Sequence, residues 1–571
     1  MGLYHFFSVR IATRKMLSFL LLMSVAALLL SACSGSRLSA SRGLAPGSHG
    51  HTSTTVGALN VEVLSGGYGD MALQLASSHP NLSEEIDVAS AAFAGRQDMS
   101  RPGLFTPSAS IAALAMTIGT TDFSGAAAQI NTITAATGQH AVRSWRAVEA
   151  NMQPELGATA LATTDGERAF LLKSMGSPLV AGLEAGQVAR STTPTVRVYQ
   201  PTSGTGYDFI AAGPVLSAHE FAAVNERGLA MTVTSIEEGS PELHDKMAFK
   251  FRRILQSSAN VEQALQKFYS DDSYDTGAHV LLADAGGNIA HLECTQEACS
   301  ELLFKIFGPG VSMHTTHGLR ALSDAAVPLS FDQLGLESRL RLAAAQQEHD
   351  RLLGNGFEVS KGVQFLRSLA PTHAINGHGL TNALVSGGVI LDPFNQTLWH
   401  STGEMPVATF AKWVEVGFSG PTGQEVHGQL LSRETQNAYL KLVQAEAQFS
   451  NQRYGEALGL LESMPEILAI DRRKLAYFKA LNLAALGQLD QAADQAITAS
   501  NQHQDSNLSA HAHLLRAWVF NQQNNLDMAH ESMRMAQRAV SMGLVNGQAQ
   551  MWIARQEIPL QLGDFPSLLG L

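Results

Sequence analysis

Charge is scarce in this 571-residue chain. Only 15% of its residues are Asp, Glu, Lys or Arg, and 38 basic against 50 acidic side chains leave a formal net charge of −12. Soluble proteins carry roughly 25% charged residues on average. Beyond the extreme N-terminus Lys and Arg form no run longer than Arg472-Arg473-Lys474. Phosphate neutralisation needs grouped basic side chains, so no nucleic-acid partner is expected. Cysteine is rarer still, at three residues. The common phosphate, metal and hydrolase signatures are also missing: there is no HExxH, no GxxxxGK followed by Ser or Thr, no paired CxxC and no GxSxG. The 20 histidines are scattered, His511 and His513 falling on one helical stretch. Neither a metal nor an organic cofactor is expected. Against these shortages stand 45% hydrophobic residues and 50 glycines. At roughly 150 residues per domain the length implies more than one domain and a large core, which excludes disorder as the dominant state. So much glycine describes a turn-rich body rather than a coiled coil.

The one long apolar run is N-terminal. Arg10, Arg14 and Lys15 precede Met16 to Leu30, and Ser31, Ala32 and Cys33 follow. Basic residues, a short apolar core and small residues before a cleavage point make residues 1–32 a signal peptide. Leu30-Ser31-Ala32-Cys33 resembles the bacterial lipoprotein box, which implies lipidation of Cys33 and a body tethered in the cell envelope. An uncleaved anchor is the alternative. Ser34 after the cysteine points to the outer membrane, by resemblance to enterobacterial sorting. Residues 33–55, rich in Ser, Gly and His, read as a flexible tether. Cys294 and Cys299 then remain in an oxidising compartment, between two strand-like runs. A hairpin-closing disulfide is the expectation, with two buried thiols as the alternative.

From about 56 to 420 the chain alternates β-rich runs such as Val196–Gln200, Ala230–Ser235 and His279–Ala285 with helical stretches such as 245–256 and 261–269. Central runs that are apolar on both sides imply strands buried on both faces, hence layered sheets covered by helices. After Gly420-Pro421 helix formers take over. Ala457, Ala492 and Ala529 recur 35 and 37 residues apart within similar segments. This resembles the tetratricopeptide repeat, with its period of roughly 34 residues and a small residue where two helices approach. Residues 430–545 are therefore expected to form helical repeats able to hold a peptide or protein partner, with a tail over 546–571. A plain helical bundle is the alternative.

A second resemblance covers roughly residues 60 to 415. It rests on Leu64-Ser65-Gly66-Gly67-Tyr68-Gly69-Asp70, on Asn225-Glu226-Arg227-Gly228-Leu229 with the strand and Arg-Ile-Leu helix after it, on Thr315-Thr316-His317, on Ser338-Arg339, and on the segment from Val389 through Trp399 to Val407. Together these resemble the penicillin acyltransferase family of N-terminal-nucleophile (Ntn) hydrolases. The resemblance implies an α+β fold, an αββα sandwich of two stacked antiparallel sheets, acting on small amides or acyl groups without a cofactor. In such enzymes the N-terminal residue freed by self-cleavage supplies both nucleophile and base, while an Asn and backbone N–H groups hold the oxyanion.

Here the chain departs from the pattern. Ala158 falls where the nucleophilic cysteine belongs, Gly176 where a carboxylate belongs, and Thr316 where the oxyanion Asn belongs, whereas His317, Ser338 and Arg339 match. A methyl group cannot attack a carbonyl. The foremost expectation is a catalytically impaired protein that binds a small amide, acyl ligand or partner. A second reading moves the nucleophile to Thr159, across a one-residue shift that turns a side chain to the opposite sheet face. A third makes the protein an envelope scaffold acting through its repeats. Among possible binding residues, Asn225 is either a ligand group or a turn, Trp399 a core or pocket-wall residue, and Arg339 a ligand for a carboxylate or the partner of Asp284 or Glu293.

Overall fold

The computed structural model describes residues 51–78, 82–83, 86–87, 132–138, 158–176, 195–202, 206–213, 222–235, 244–270, 278–294, 299–305, 308–315, 332–354, 356–368, 385–403, 408–429, 431–465, 472–500, 506–542, 547–559, 561–562 and 565. The signal peptide, Cys33, Thr316 and His317 lie outside these residues. Among the described residues no helix is long and apolar enough to cross a membrane.

The strands fall into two sheets. One starts with β1 (Thr52–Val56) and β2 (Leu59–Gly66); the chain then enters the other with β3 (Thr159–Thr164) and β4 (Ala169–Gly176). It returns to the first for β5 (Thr195–Pro201), β6 (Phe209–Ala212), β7 (Ala222–Asn225), β8 (Leu229–Ser235), β9 (Ala278–Asp284), β10 (Ile289–Cys294) and β11 (Cys299–Lys305). The second sheet is completed by β12 (Gly310–His314), β13 (Val385–Asp392), β14 (Thr397–Ser401), β15 (Trp413–Gly417) and β16 (Gly420–Val426). The orders are β1-β2-β5-β6-β7-β8-β9-β10-β11 and β12-β3-β4-β13-β14-β15-β16. Every pairing is antiparallel except β2 with β5, a parallel exception to the expected all-antiparallel sheets.

Around the sheets lie α1 (Tyr68–Ser78), α2 (His244–Ser257), α3 (Val261–Tyr269), α4 (Asp332–Leu352) and α5 (Val359–Leu366). Alternation along each strand sorts its side chains. Val61, Val196, Val198, Ile210, Val224 and Leu281 of the nine-stranded sheet pack on Ala160, Ala162, Leu171, Val389 and Leu391 of the seven-stranded one. On the far side of the first sheet, Tyr199, Phe209 and Leu282 meet Met71 of α1, Phe251 of α2 and Phe268 of α3. On the far side of the second, Leu161, Leu172 and Ile390 meet Ala345 of α4 and Phe365 of α5. The result is four layers, helix on sheet on sheet on helix. Each fully buried Val, Leu or Phe contributes roughly 1.5–3 kcal/mol, and an exposed ion pair such as Lys412–Glu425 roughly 0–1 kcal/mol. Apolar packing therefore decides the stability of a chain so poor in charge.

Two boundaries differ from the sequence reading. β1 starts inside the stretch read as tether, and β16 runs past Gly420-Pro421 to Val426 before helices begin. Turn residues at 417–420 lead into another edge strand rather than out of the sheet, since Gly420, at φ +99, lets β15 fold back onto β16. The remaining helices, α6 (Arg433–Ser450), α7 (Tyr454–Glu462), α8 (Arg472–Ala485), α9 (Leu489–Ser500), α10 (Ser506–Gln522), α11 (Leu526–Met542) and α12 (Gly547–Arg555), pair as α6/α7, α8/α9 and α10/α11. α12 occupies part of the segment read as a tail.

Candidate functional site

The β3–β4 hairpin organises the site. At its turn the Asp165 carboxylate accepts the amide N–H groups of Glu167 and Arg168, each at 2.8 Å. Those bonds, Arg168's first, hold the carboxyl below its usual range. At its open end Thr159 pairs with Ser174 and Ala160 with Lys173. β12 lies on the other side of β3, with His314 opposite Ala160, and β13 and β14 continue the row with Val389 and His400. His314, Ala160, Lys173, Val389 and His400 thus form one cross-strand row, on the face that carries Ala160 and Val389 into the layer between the sheets.

Ala158 is fully buried one residue before β3. Strand alternation puts it on the side of Ala160 and Ala162, facing the nine-stranded sheet, and puts Thr159 on the side of Leu161, facing the helices. The Thr159 amide donates to Ser174 Oγ at 2.9 Å, while Thr159 Oγ1 is buried without a hydrogen-bond partner. Gly176 ends β4 opposite Val385, with no side chain to offer. Ser338 reaches the same end of the sheet: its hydroxyl donates to Thr315 Oγ1 at 2.7 Å, and Thr315 Oγ1 donates to the Ser338 carbonyl at 2.8 Å. The structure thus gathers Ala158, Thr159, Gly176 and Ser338 around the open end of one hairpin.

Arg339 does not join them. It is exposed on α4, whereas Ser338 and Arg341 are buried. Positions three apart share a helix face and the next position turns roughly 100° away, so Ser338 and Arg341 look inward together. Neither acid suggested for Arg339 meets it. Asp284 instead accepts from the Val261 amide at 3.0 Å and from the Asn288 side chain. Asn225 is no ligand group either: its amide donates to the carbonyls of Leu255 and Ser258 at 2.7 and 2.8 Å, and its oxygen accepts from the backbone of Arg227 and Leu229. All its hydrogen-bonding capacity goes into fixing the β7–β8 turn against the end of α2. Trp399 lies on the outer, helix-facing side of its sheet and lines a cavity there with Phe170 and Phe357. Cys294 and Cys299 are register partners at the β10–β11 hairpin, and their sulfurs are bonded.

Sequence reasoning missed a set of buried polar side chains in the layer between the sheets. Lys173 donates to the Val233 carbonyl of the opposite sheet. The rings of His279, His291 and His314 lie with centroids 4.5 to 5.2 Å apart. His291 places Nδ1 2.8 Å from Ser312 Oγ and Nε2 3.1 Å from His279 Nδ1. His314 Nδ1 donates to the Thr315 carbonyl at 3.1 Å, leaving Nε2 as a buried acceptor without a partner. His400 repeats the arrangement, donating to the Ser401 carbonyl at 2.6 Å with an unpartnered Nε2. Burial, ahead of repulsion from His279, holds His291 and His314 well below the usual imidazole range, and burial holds His400 down to about 4. His291, His314 and His400 are therefore neutral, able to accept or donate in hydrogen bonds but carrying no charge. Their sequence signal is faint: a histidine at an inward strand position between apolar neighbours, as in Ala290-His291-Leu292 and Trp399-His400. Among the described residues no group of three or more His, Cys, Asp or Glu is arranged to hold a metal ion.

No family model matches the chain, and no curated protein matches its sequence. Solved structures similar to it include an ortholog of N-acylethanolamine-hydrolyzing acid amidase from Caenorhabditis elegans, 11% identical with a TM-score of 0.29, the match covering 42% of this chain and 93% of that one. A mutant conjugated bile acid hydrolase from Clostridium perfringens is 12% identical at a TM-score of 0.27, over 43% of this chain and 88% of that one. A second variant of the same hydrolase is 10% identical at a TM-score of 0.28, over 48% and 99%. Likenesses this slight do not establish a family.

Proposed function

We propose that the four-layer body is an Ntn-hydrolase-like domain of the penicillin acyltransferase type that has lost catalysis. On this reading it binds a small amide or acyl ligand at the open end of the β3–β4 hairpin. It is exported, anchored through Cys33 to the cell envelope, and carries tetratricopeptide-like repeats that receive a protein or peptide partner. The observation that carries this reading is the side chain at the start of β3: a methyl group faces the layer between the sheets, the adjacent hydroxyl of Thr159 faces the other way, and the Ser174 hydroxyl is engaged by the Thr159 amide. With neither thiol nor hydroxyl on the inward side at the start of β3, the attack that defines such enzymes has no agent there. Gly176 removes a carboxylate as well, and a missing oxyanion donor at Thr316 costs on the order of 10²–10³ in rate.

Intact-mass analysis of the purified protein tests this. The expected result is one chain beginning at a lipid-modified Cys33. Two fragments breaking between Ala158 and Thr159 overturn the inactive reading and favour a second one, in which Thr159 is the N-terminal nucleophile. One feature supports that alternative: Thr159 Oγ1 is buried with no hydrogen-bond partner, and so is not held in a purely structural role.

A further inference from the structure

On the outer face of the seven-stranded sheet, away from the start of β3, lies a cavity of about 490 Å³. That volume is within the range of small-molecule sites, roughly 300–1,000 Å³. Its floor is built from one face of the sheet, Phe170 from β4, Trp399 from β14 and Glu415 from β15, with Trp399 and Glu415 direct register partners. Phe357, in the segment leading into α5, closes one side and stacks on Phe170 with ring centroids 4.0 Å apart. Three aromatic side chains and a carboxylate thus line one cavity.

The charges of this cavity do not cancel. Arg168, whose guanidinium already lies over the Phe170 ring at 5.2 Å, is matched by Asp392, 2.9 Å away. Glu358, at the rim, is matched by Lys361 at 3.4 Å. Glu415 is only 8% exposed, and its carboxylate accepts hydroxyls alone, from Thr397 at 3.0 Å and Thr422 at 2.7 Å. Among the described residues no cationic side chain pairs with it. A carboxylate removed from water is costly unless a positive charge answers it, and the faces of Trp and Phe attract cations in their own right.

We propose that this cavity is a binding site for an organic cation, an ammonium group on an apolar body, with Glu415 as counter-ion, Trp399 as the aromatic face beside it and Phe357 as a wall. The site is independent of the reading of Ala158, because it occupies the opposite face of the sheet. Titrating the full chain in detergent with tryptamine, phenethylammonium and tetramethylammonium, followed by calorimetry, tests it. At least one probe is expected to bind saturably. Its affinity should fall tenfold or more in Glu415→Gln, which keeps the shape and removes the charge, and should also fall in Phe357→Ala, while indole-3-propionate should not compete. Binding unchanged in Glu415→Gln, equal binding of the anionic analogue, or no binding of any of the three cations at 10 mM on the order of the weakest useful affinity overturns the proposal. A circular-dichroism melt of each variant separates loss of the site from loss of the fold.

Discussion

Asn225 shows how one side chain can look functional and be structural. Its four hydrogen bonds tie the β7–β8 turn to the end of α2. Replacing it with Ala leaves two carbonyls and two N–H groups without their partners in a buried place. Asn225→Ala is therefore expected to lower the unfolding free energy by about 3 kcal/mol or more, read as a shift of the urea midpoint. The buried histidines make a second expectation. His511 is fully buried with both ring nitrogens unpartnered, and burial holds it down to about 3, as it holds His400 down to about 4. An unfolded histidine binds its proton below roughly pH 6.5, so between that pH and the folded value the unfolded chain binds more protons. Stability is then full above pH 6.5 and falls as the pH drops towards 4 and 3, by roughly 1.4 kcal/mol per pH unit for each such histidine. Urea titrations at pH 7, 5.5 and 4.5 should show this decline, and His511→Gln should reduce it by roughly 2–3 kcal/mol over that span. No decline on acidification, or an unchanged slope in the variant, contradicts the burial.

The helical hairpins repeat one joint. α6, α8 and α10 each end at a residue in the left-handed region, Gln452 at φ +60, Gly487 at φ +74 and Asn524 at φ +58. At each joint that residue's N–H bonds three residues back and the next N–H five residues back, as in Gly487 to Ala484 and Gln488 to Leu483. This is the Schellman closure. Gln556, at φ +56, ends α12 in the same way, so the pattern continues into the segment read as a tail. Only glycine adopts this conformation without strain. Gln452→Gly is therefore expected to raise stability by about 0.5–1 kcal/mol and Gly487→Gln to lower it by a similar amount, both measured by thermal melts. Elements of this kind were legible in the chain: the alanines at 457, 492 and 529 mark where the second helix of each hairpin packs, and all three are buried. β16 was not legible, because Gly420–Val426 is polar and largely exposed and carries no alternating signal.

The sandwich and the hairpins share one apolar core. Residues 51–571 form one compact unit, and a single apolar cluster holds both the helices over the nine-stranded sheet and those of the hairpins. Calorimetry should accordingly show one cooperative transition with matching calorimetric and van't Hoff enthalpies, and truncation after residue 430 should lower the midpoint of what remains; two resolved transitions contradict a shared core. Periodicity and punctuation along the chain were enough to name layered sheets, most strand positions and the helical array, because a strand's alternation and a helix's spacing are local properties of side-chain order. Ala158 and its neighbours were singled out only by the resemblance to a known family, not by any local pattern of the chain. Which way Arg339 turns, that Asn225 is consumed by a turn, that His279, His291 and His314 cluster between the sheets, and that Glu415 has no cationic partner among the described residues were settled by packing between elements far apart in the chain. No window of neighbouring residues contains that information, since burial and partnership belong to the assembled layers.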